Sequence, residues 1–212
     1  MLSGIWITTG QMVCASALAI IISLIFGLAR LSKIRVVLGV ATVYIEFFRG
    51  TSLLIQLYWI YYVLPLLFDL SLDAFYAGFI ALGLNFGAYG AEIVRGSIQA
   101  VPRSQWEAAK ALNMPSFLKM RRIIIPQTFP HLLPPASNLL VELLKATALV
   151  SLISVTDLMF QSKVFNQTYW MSLQVFGTAL IIYYVLARFI LTPFLRWLEI
   201  LAARKVGKKM VG

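Results

Sequence analysis

Two pairs of opposite charges lie inside otherwise apolar stretches of this sequence. Glu46 and Arg49 form one pair, Glu142 and Lys145 form the other, and each pair is three residues apart. In a helix this spacing places both charges on one face. An ionisable group inside a bilayer costs about 2.5–3.5 kcal/mol, so such groups pair with each other or border a polar passage. Two interpretations therefore stay open: intrahelical ion pairs, or charges that face the carboxylate and ammonium groups of a passing zwitterion.

The sequence contains few of the residue types that catalytic and metal sites need. Cys14 is the only cysteine and His131 the only histidine, which excludes an intrachain disulfide and a Cys/His zinc site. Nucleophilic catalysis needs a clustered set of side chains, and phosphate binding needs a Gly-rich loop; neither pattern occurs. His131 has too few titrating neighbours for a proton relay, so we interpret it as structural. The sequence predicts no enzyme activity and no metal site in this chain.

The composition identifies the elements that must position these charges. Of 212 residues, 60% are hydrophobic and only 12% are charged, and the mean hydropathy is +0.86. Soluble domains carry about a quarter charged residues. We therefore expect an all-α polytopic membrane protein, a single domain over residues 1–212. Gaps between charges that are long enough for a span of about 20 residues predict five transmembrane helices, at Ile5–Ala29, Val36–Leu67, Ala74–Ala91, Ile123–Thr156 and Val164–Ala187, the last continuing past Arg188 towards Trp197.

The distribution of positive charge predicts the orientation. With the N-terminus outside and the C-terminus in the cytoplasm, fourteen basic residues fall on the inner side and only Lys163 on the outer side. The net charge of +10 is then explained by topology and by anionic lipid headgroups, without nucleic acid. The inner residues are Arg30, Lys33, Arg35, Arg95, Arg103, Lys110, Lys119, Arg121, Arg122, Arg196, Arg204, Lys205, Lys208 and Lys209.

The inner loop at about 92–125 is the longest hydrophilic stretch. Ser104 and Glu107 have the spacing of a capping box, which predicts a helix over Glu107–Leu112. Asn113 fits a left-handed helix end, and Pro115 prevents simple continuation. A second short helix is expected over Ser116–Arg122. Two short helices along the membrane suggest a loop that binds a cytoplasmic partner.

This loop resembles the EAA motif of the transmembrane subunits of ABC importers, EAA-x3-G-x9-I-x-L-P. Glu107, Ala108 and Ala109 match its start, and every later spacing agrees. Asn113 stands for the Gly, and Ile125 stands for the Leu. Because Asn tolerates the left-handed conformation of a helix-ending Gly, the first departure is mild.

Further segments resemble the polar amino-acid permeases within that group. FRGTSLLIQL at residues 48–57 is similar to their FRGTPLLVQL signature, with Ser52 in place of Pro. GAEIVRGSI at 90–98 and QWEAA at 105–109 match two more segments. Residues 138–149 resemble N-x6-K-D-T-S-L, except that Ala146 and Ala148 replace the Asp and the Ser.

The resemblance implies the five-helix arrangement of type I ABC importer permeases and a set of partners. These are an ABC subunit that binds ATP and Mg, a second permease subunit, identical or paralogous, and an extracytoplasmic solute-binding protein, so this chain itself needs no cofactor. It implies location in the bacterial cytoplasmic (inner) membrane. The residues expected to couple to the ATPase are Glu107, Ala108, Ala109, Asn113, Met114 and Pro115.

Polar residues in the spans are candidates for the solute path. Gln56 and Asn85 either line it or simply bond across helices, whereas Gly83, Gly87 and Gly90 are expected to permit close helix packing. Asp157, at the outer mouth, either contacts the binding protein or caps a turn. The candidate path residues are Glu46, Arg49, Gln56, Asn85, Asn138, Glu142, Lys145 and Thr147.

The expected function is import of a polar amino acid or a similar zwitterion. Since Ala146 lacks the carboxylate that the related permeases often have there, a dedicated arginine or lysine importer is disfavoured. A compatible solute such as ectoine stays open as the alternative. An ion-gradient-driven secondary transporter is more remote, because five spans do not divide into inverted repeats.

Overall fold

The computed structural model describes residues 2–69 and 71–205, and within them all regular secondary structure is helical. We number eight helical segments along the chain. Several contain a short π-helical or 3-10 stretch, as is common where helices bend or end. The segments are α1 (Leu2–Ala29), α2 (Arg35–Gly50), α3 (Leu53–Tyr58, Trp59–Val63 and Leu64–Phe68), α4 (Ala74–Gln99), α5 (Arg103–Ala111), α6 (Ser116–Lys119, Met120–Ile124, Ile125–Ala146 and Thr147–Ile153), α7 (Leu158–Tyr169) and α8 (Ser172–Val185, Leu186–Leu191 and Thr192–Lys205).

The number of spans agrees with the prediction. In the described part of the chain, α1, α4, α6 and α8 are each long and apolar enough to cross a membrane. The pair α2 and α3 makes a fifth span if it is counted as one. The third span is longer than predicted, because α4 continues past Ala91 to Gln99.

Helix α4 is the centre of the bundle, and about two thirds of the residues in its most apolar stretch are buried. Helix α1 packs along it closely, because glycines stand at the points of contact. A Cβ at Gly83 would lie 2.6 Å from Leu18, and one at Gly87 would lie 2.6 Å from Ile22. Gly90 meets Ser23 in the same way. The prediction that these glycines permit close packing is confirmed.

The second span, predicted over Val36–Leu67, is not one continuous helix. Thr51 and Ser52 are both extended, with ψ of 152° and 132°, and α3 leaves α2 at a bend of 104°. Two consecutive extended residues end the series of helical hydrogen bonds in α2. A span prediction based on counting apolar residues cannot detect such a break, because the count carries no information on backbone conformation.

The inner loop differs from the prediction in two ways. Helix α5 starts at Arg103 after Pro102, and Ser104 makes no capping hydrogen bond, so the capping box is wrong. The second short helix is not separate either: Ser116 begins a continuous 38-residue helix that runs to Ile153. Pro130, Pro134 and Pro135 lie inside this helix. Prolines are tolerated in spans because neighbouring groups satisfy the freed carbonyls.

The fifth span begins later than predicted, and its predicted continuation past Arg188 towards Trp197 is confirmed. Trp170 has φ of 55°, so the chain breaks there and α7 is a separate helix. The apolar stretch then runs from Ser172 to Leu201, and Arg188 lies inside it. The predicted range from Val164 to Ala187 therefore combined parts of two helices.

Candidate functional site

Helix α5 is a short surface helix held to the bundle along one side. Trp106 packs against a cluster of buried residues formed by Val94, Ile98, Val101 and Ile124. Glu107 and Ala108 are exposed on the other side. The helix thus presents a carboxylate and a small residue to the surroundings while an aromatic ring anchors it.

The end of α5 has the conformation predicted from Asn113. Its φ is 51°, in the left-handed region. Its N–H donates to the carbonyl of Lys110 at 2.9 Å, and the N–H of Met114 donates to the carbonyl of Ala109 at 3.1 Å. These bonds satisfy carbonyls that a helix end leaves free. Pro115 is exposed and Met114 half-buried.

One predicted coupling residue is not accessible. Ala109 is 1% exposed and belongs to the chain's own core. Of the EAA triplet, only Glu107 and Ala108 can contact another molecule in this conformation.

A polar stripe runs along one side of α6. Asn138, Glu142 and Lys145 are all exposed, and their spacing of four and then three residues places them on a single helix face. The stripe lies in the second half of the helix Ser116–Ile153, which has the length and composition of a membrane span. Charged groups on a lipid-facing surface at that depth are costly. This face therefore requires a polar environment outside the chain.

Neither predicted intrahelical ion pair forms. Among the described residues, Glu142 and Lys145 have no oppositely charged group within 4.0 Å. Glu46 instead lies 3.9 Å from Arg30, and the Arg49 guanidinium lies 5.3 Å from the centre of the Tyr89 ring. Of the two interpretations left open by the sequence, that of ion pairs within each helix is therefore wrong.

Three other candidate path residues are buried in the bundle and hydrogen-bonded. The Asn85 amide donates to the Gln56 side-chain oxygen and to the Phe48 carbonyl, both at 3.0 Å. The Gln56 amide donates to the Thr51 hydroxyl at 2.6 Å and to the same Phe48 carbonyl at 3.0 Å. These bonds hold the break between α2 and α3 against α4, so the cross-helix interpretation is correct for both amides.

Thr147 has the same structural character. It is fully buried, and its hydroxyl donates to the carbonyl of Leu144 at 2.6 Å. It supports the change from α-helix to the tighter 3-10 turn at the end of α6. Thr147 is therefore not part of the polar stripe on α6, which ends at Lys145.

Comparison with known proteins identifies this architecture. A family model described as the binding-protein-dependent transport system inner membrane component matches residues 19–202. The chain belongs to this family. It is similar to a probable amino-acid ABC transporter permease of Sinorhizobium fredii, with 42% identity over 97% of this chain and 88% of that protein.

A second relative and a solved structure support the same membership. The L-cystine transport system permease of Bacillus subtilis is 42% identical over 73% of this chain and 66% of its own length. A crystal structure described as an amino acid ABC transporter with histidines has a TM-score of 0.86 and 35% identity, covering 93% of this chain and 92% of its own. The permease therefore has the fold of ABC transporter membrane subunits.

Sequence reasoning missed a charged cluster at one end of the permease bundle. Arg95 donates to Glu92 at 2.6 Å and 2.9 Å. Arg30 lies 3.6 Å from Glu92, 3.9 Å from Glu46, and donates to Thr42. Arg30 thereby joins the end of α1 to both α2 and α4. The positive-inside pattern identifies Arg30 only as a charge on the inner side; the signal for a structural role is its position directly after an uncharged span.

At the opposite end of the permease, Asp157 caps α7. It is fully buried, accepts a hydrogen bond from the Phe160 N–H at 2.8 Å, and receives the Tyr183 hydroxyl at 3.4 Å. The neighbouring Leu158 N–H donates to Thr8 of α1 at 3.2 Å. Burial raises the pKa of the Asp157 carboxyl from 3.8 to about 6, against the lowering effect of its hydrogen bonds. The capping interpretation of this residue is supported.

Proposed function

We propose that the chain is a transmembrane subunit of an ATP-driven importer that carries a polar amino acid or a similar zwitterion across the bacterial inner membrane. Family membership supports the transport role, and the names of the relatives support an amino-acid solute. The observation that carries the mechanism is the exposed α6 stripe of Asn138, Glu142 and Lys145 within a helix that can span the membrane. Its two charges match those of a zwitterion.

Coupling to ATP hydrolysis is assigned to the loop between α4 and α6. Helix α5 is anchored by Trp106 and exposes Glu107 and Ala108, which suits docking into a cleft of a separate ATPase subunit. ATP and Mg are bound by that partner, and the permease contributes the charged contact of Glu107. Asn113 and Pro115 fix where α5 ends, so their role is to position this helix against the ATPase subunit.

A second permease subunit, identical or paralogous, completes the passage. Five spans are too few to enclose a pathway, and the α6 stripe is open in the single chain. The second subunit would close the passage around the stripe. A binding protein delivers solute at the outer end, where α7 and Trp170 lie, and the basic loops with Arg121 and Arg122 face the cytoplasm.

The alternatives have less support. An ectoine-like solute fits the charges of the stripe equally well, but the relatives are named for amino acids and cystine. Ala146 offers no carboxylate near Lys145, which disfavours a dedicated importer of cationic amino acids. An ion-gradient-driven carrier does not agree with the family of the chain.

The coupling assignment is tested by reversing one charge on α5. We expect Glu107→Lys to abolish solute-stimulated ATP hydrolysis, or to detach the ATPase, while the amount of permease in the membrane stays unchanged. The measurement is uptake and ATP hydrolysis in vesicles that contain the whole complex, together with recovery of the ATPase on purified permease.

The matched control is Arg121→Glu, which also reverses an exposed charge of the loop region but lies outside α5. We expect this variant to retain the ATPase and most of the transport. Unchanged transport in Glu107→Lys would refute the coupling role. An equal loss in both variants would show that reversing any exposed charge in this region impairs coupling, and that Glu107 has no specific role.

A further inference from the structure

A crevice of about 890 Å³ separates the end of α1 from helix α5. Its volume lies in the upper part of the 300–1,000 Å³ range that is usual for ligand pockets. It does not include the α6 stripe, so it belongs neither to the proposed solute path nor to the exposed EAA residues. The lining residues are Leu28, Leu31, Ser32, Ile98, Gln99, Val101, Arg103, Trp106 and Met120.

The lining has an apolar part and a polar part. The apolar part comes from Leu28 and Leu31 at the end of α1, from Ile98 and Val101 beside the end of α4, and from Met120. Leu28 still belongs to the membrane span Ser3–Ala29. This part of the crevice therefore lies level with the hydrocarbon boundary, where an acyl chain has access.

The polar part offers hydrogen-bond donors without an opposing carboxylate. Arg103 makes no ion pair among the described residues, and no acidic residue lines the crevice there. The Gln99 oxygen is occupied by Arg95 at 2.8 Å, which leaves its amide hydrogens free to donate. The Ser32 oxygen accepts the N–H of Ile34 at 3.2 Å, so its own proton can also be donated.

Further positive charge stands next to the opening. Lys33 and Arg35 follow Ser32 in the chain and are both exposed. Each basic residue near an anionic membrane surface contributes about 1 kcal/mol of attraction. An apolar slot that ends in guanidinium, amide and hydroxyl donors matches the two halves of a phospholipid with a negative headgroup.

We propose that this crevice is a binding site for one anionic phospholipid. The acyl chain lies against Leu28 and Leu31, and the phosphate is held by Arg103 with Ser32 and Gln99. Trp106 closes the side formed by α5, in the interfacial position that Trp favours. Free phosphate would use only the donors and leave the apolar half empty, which is why the occupant is a lipid.

The test uses the complete transporter in vesicles of mixed phosphatidylcholine and phosphatidylglycerol. Lipids that stay bound after mild purification are counted by native mass spectrometry. We expect the wild-type complex to retain phosphatidylglycerol in preference to phosphatidylcholine. Arg103→Gln should lower this retention about fivefold, as expected for the loss of one basic contact.

Two further variants test the apolar half. Leu28→Trp fills the slot and should abolish retention, whereas Ile25→Trp adds the same ring to an exposed position outside the crevice and should not. Arg121→Gln is the matched control for charge. Retention without headgroup preference would overturn the proposal, and so would equal losses in the variants and their controls. None of these readouts depends on transport, so failure of the proposed function would leave the lipid result interpretable.

Discussion

Two groups of polar residues in this protein have opposite surroundings. One is the pair of amides near the bend between α2 and α3, and the other is the stripe on α6. Asn85 and Gln56 are 5% exposed, bond to each other, and share the Phe48 carbonyl. Asn138, Glu142 and Lys145 are exposed, and the two charges have no ionic partner among the described residues. Both sets were candidates for one solute path from sequence alone.

The difference shows how a polar residue in a span is to be interpreted. A buried donor or acceptor without a partner costs about 1–3 kcal/mol, so a set that satisfies itself is explained by stability. A set left unsatisfied on a helix surface inside a membrane is explained only by something outside the chain. The amides at the bend belong to the first kind and the α6 stripe to the second.

The largest effect is expected for the stripe. We predict that Glu142→Gln and Lys145→Met, singly and together, lower uptake at least tenfold, because each removes one charge offered to the zwitterion. Thermal stability and assembly should hardly change, since neither residue contacts an opposite charge of its own chain. Uptake per assembled complex in vesicles is the measurement, with unfolding followed in parallel.

Arg196→Gln is the control, because it removes an exposed charge that belongs to α8 and not to the stripe. It should transport normally. Full uptake by the assembled double variant would remove the stripe from the solute path and weaken the contrast with the buried amides.

A smaller effect of a different kind is expected for the buried amides. Asn85→Leu removes the donor that the Gln56 oxygen and the Phe48 carbonyl share. We predict a loss of about 1–3 kcal/mol of stability, seen as less permease in the membrane and a lower unfolding temperature. Uptake per assembled molecule should stay within about twofold of the wild type.

Asn138→Leu makes the same substitution on the exposed stripe. It should leave the unfolding temperature nearly unchanged while lowering uptake. If Asn85→Leu instead lowered uptake per molecule without loss of stability, then the bend between α2 and α3 would be part of the path.

Sequence reasoning predicted what depends on composition and local pattern. The number of spans follows from hydropathy, and the left-handed Asn113 follows from helix-end chemistry. It failed where a tertiary contact decides. The Gln56 side chain bonds to Phe48 and Thr51 nearby in the chain, but its side-chain oxygen is satisfied by Asn85 of α4, and that contact joins residues 29 apart in the chain.

The charges show the same limit more clearly. Helical spacing correctly placed Glu142 and Lys145 on one face, yet spacing alone could not show that they stay unpaired. Glu46 lies 3.9 Å from Arg30, sixteen residues earlier, and does not pair with Arg49. Competition between possible ion pairs is a three-dimensional property, so a single sequence cannot resolve it.

The smallest effect concerns Asp157, a buried charge that is only partly satisfied and so stands between the two kinds. Its native pKa of about 6 lies above the ordinary 3.8, so between these values the native state holds a proton that the unfolded chain has released. Stability should therefore fall as the pH rises through this window.

Asp157→Asn keeps an oxygen to accept the Phe160 N–H but cannot ionise. We predict a gain of about 0.5–1 kcal/mol at neutral pH, because losing the buried charge outweighs the weaker neutral hydrogen bonds, and the dependence between pH 4 and 6 should disappear. Unfolding temperatures measured across this range in purified permease provide the check, with Asp73→Asn, the exposed cap of α4, as the control. If Asp157→Asn kept the wild-type slope, another group would be responsible; if it lost stability at every pH, the ionised carboxylate would be fully satisfied and would belong with the amides at the bend.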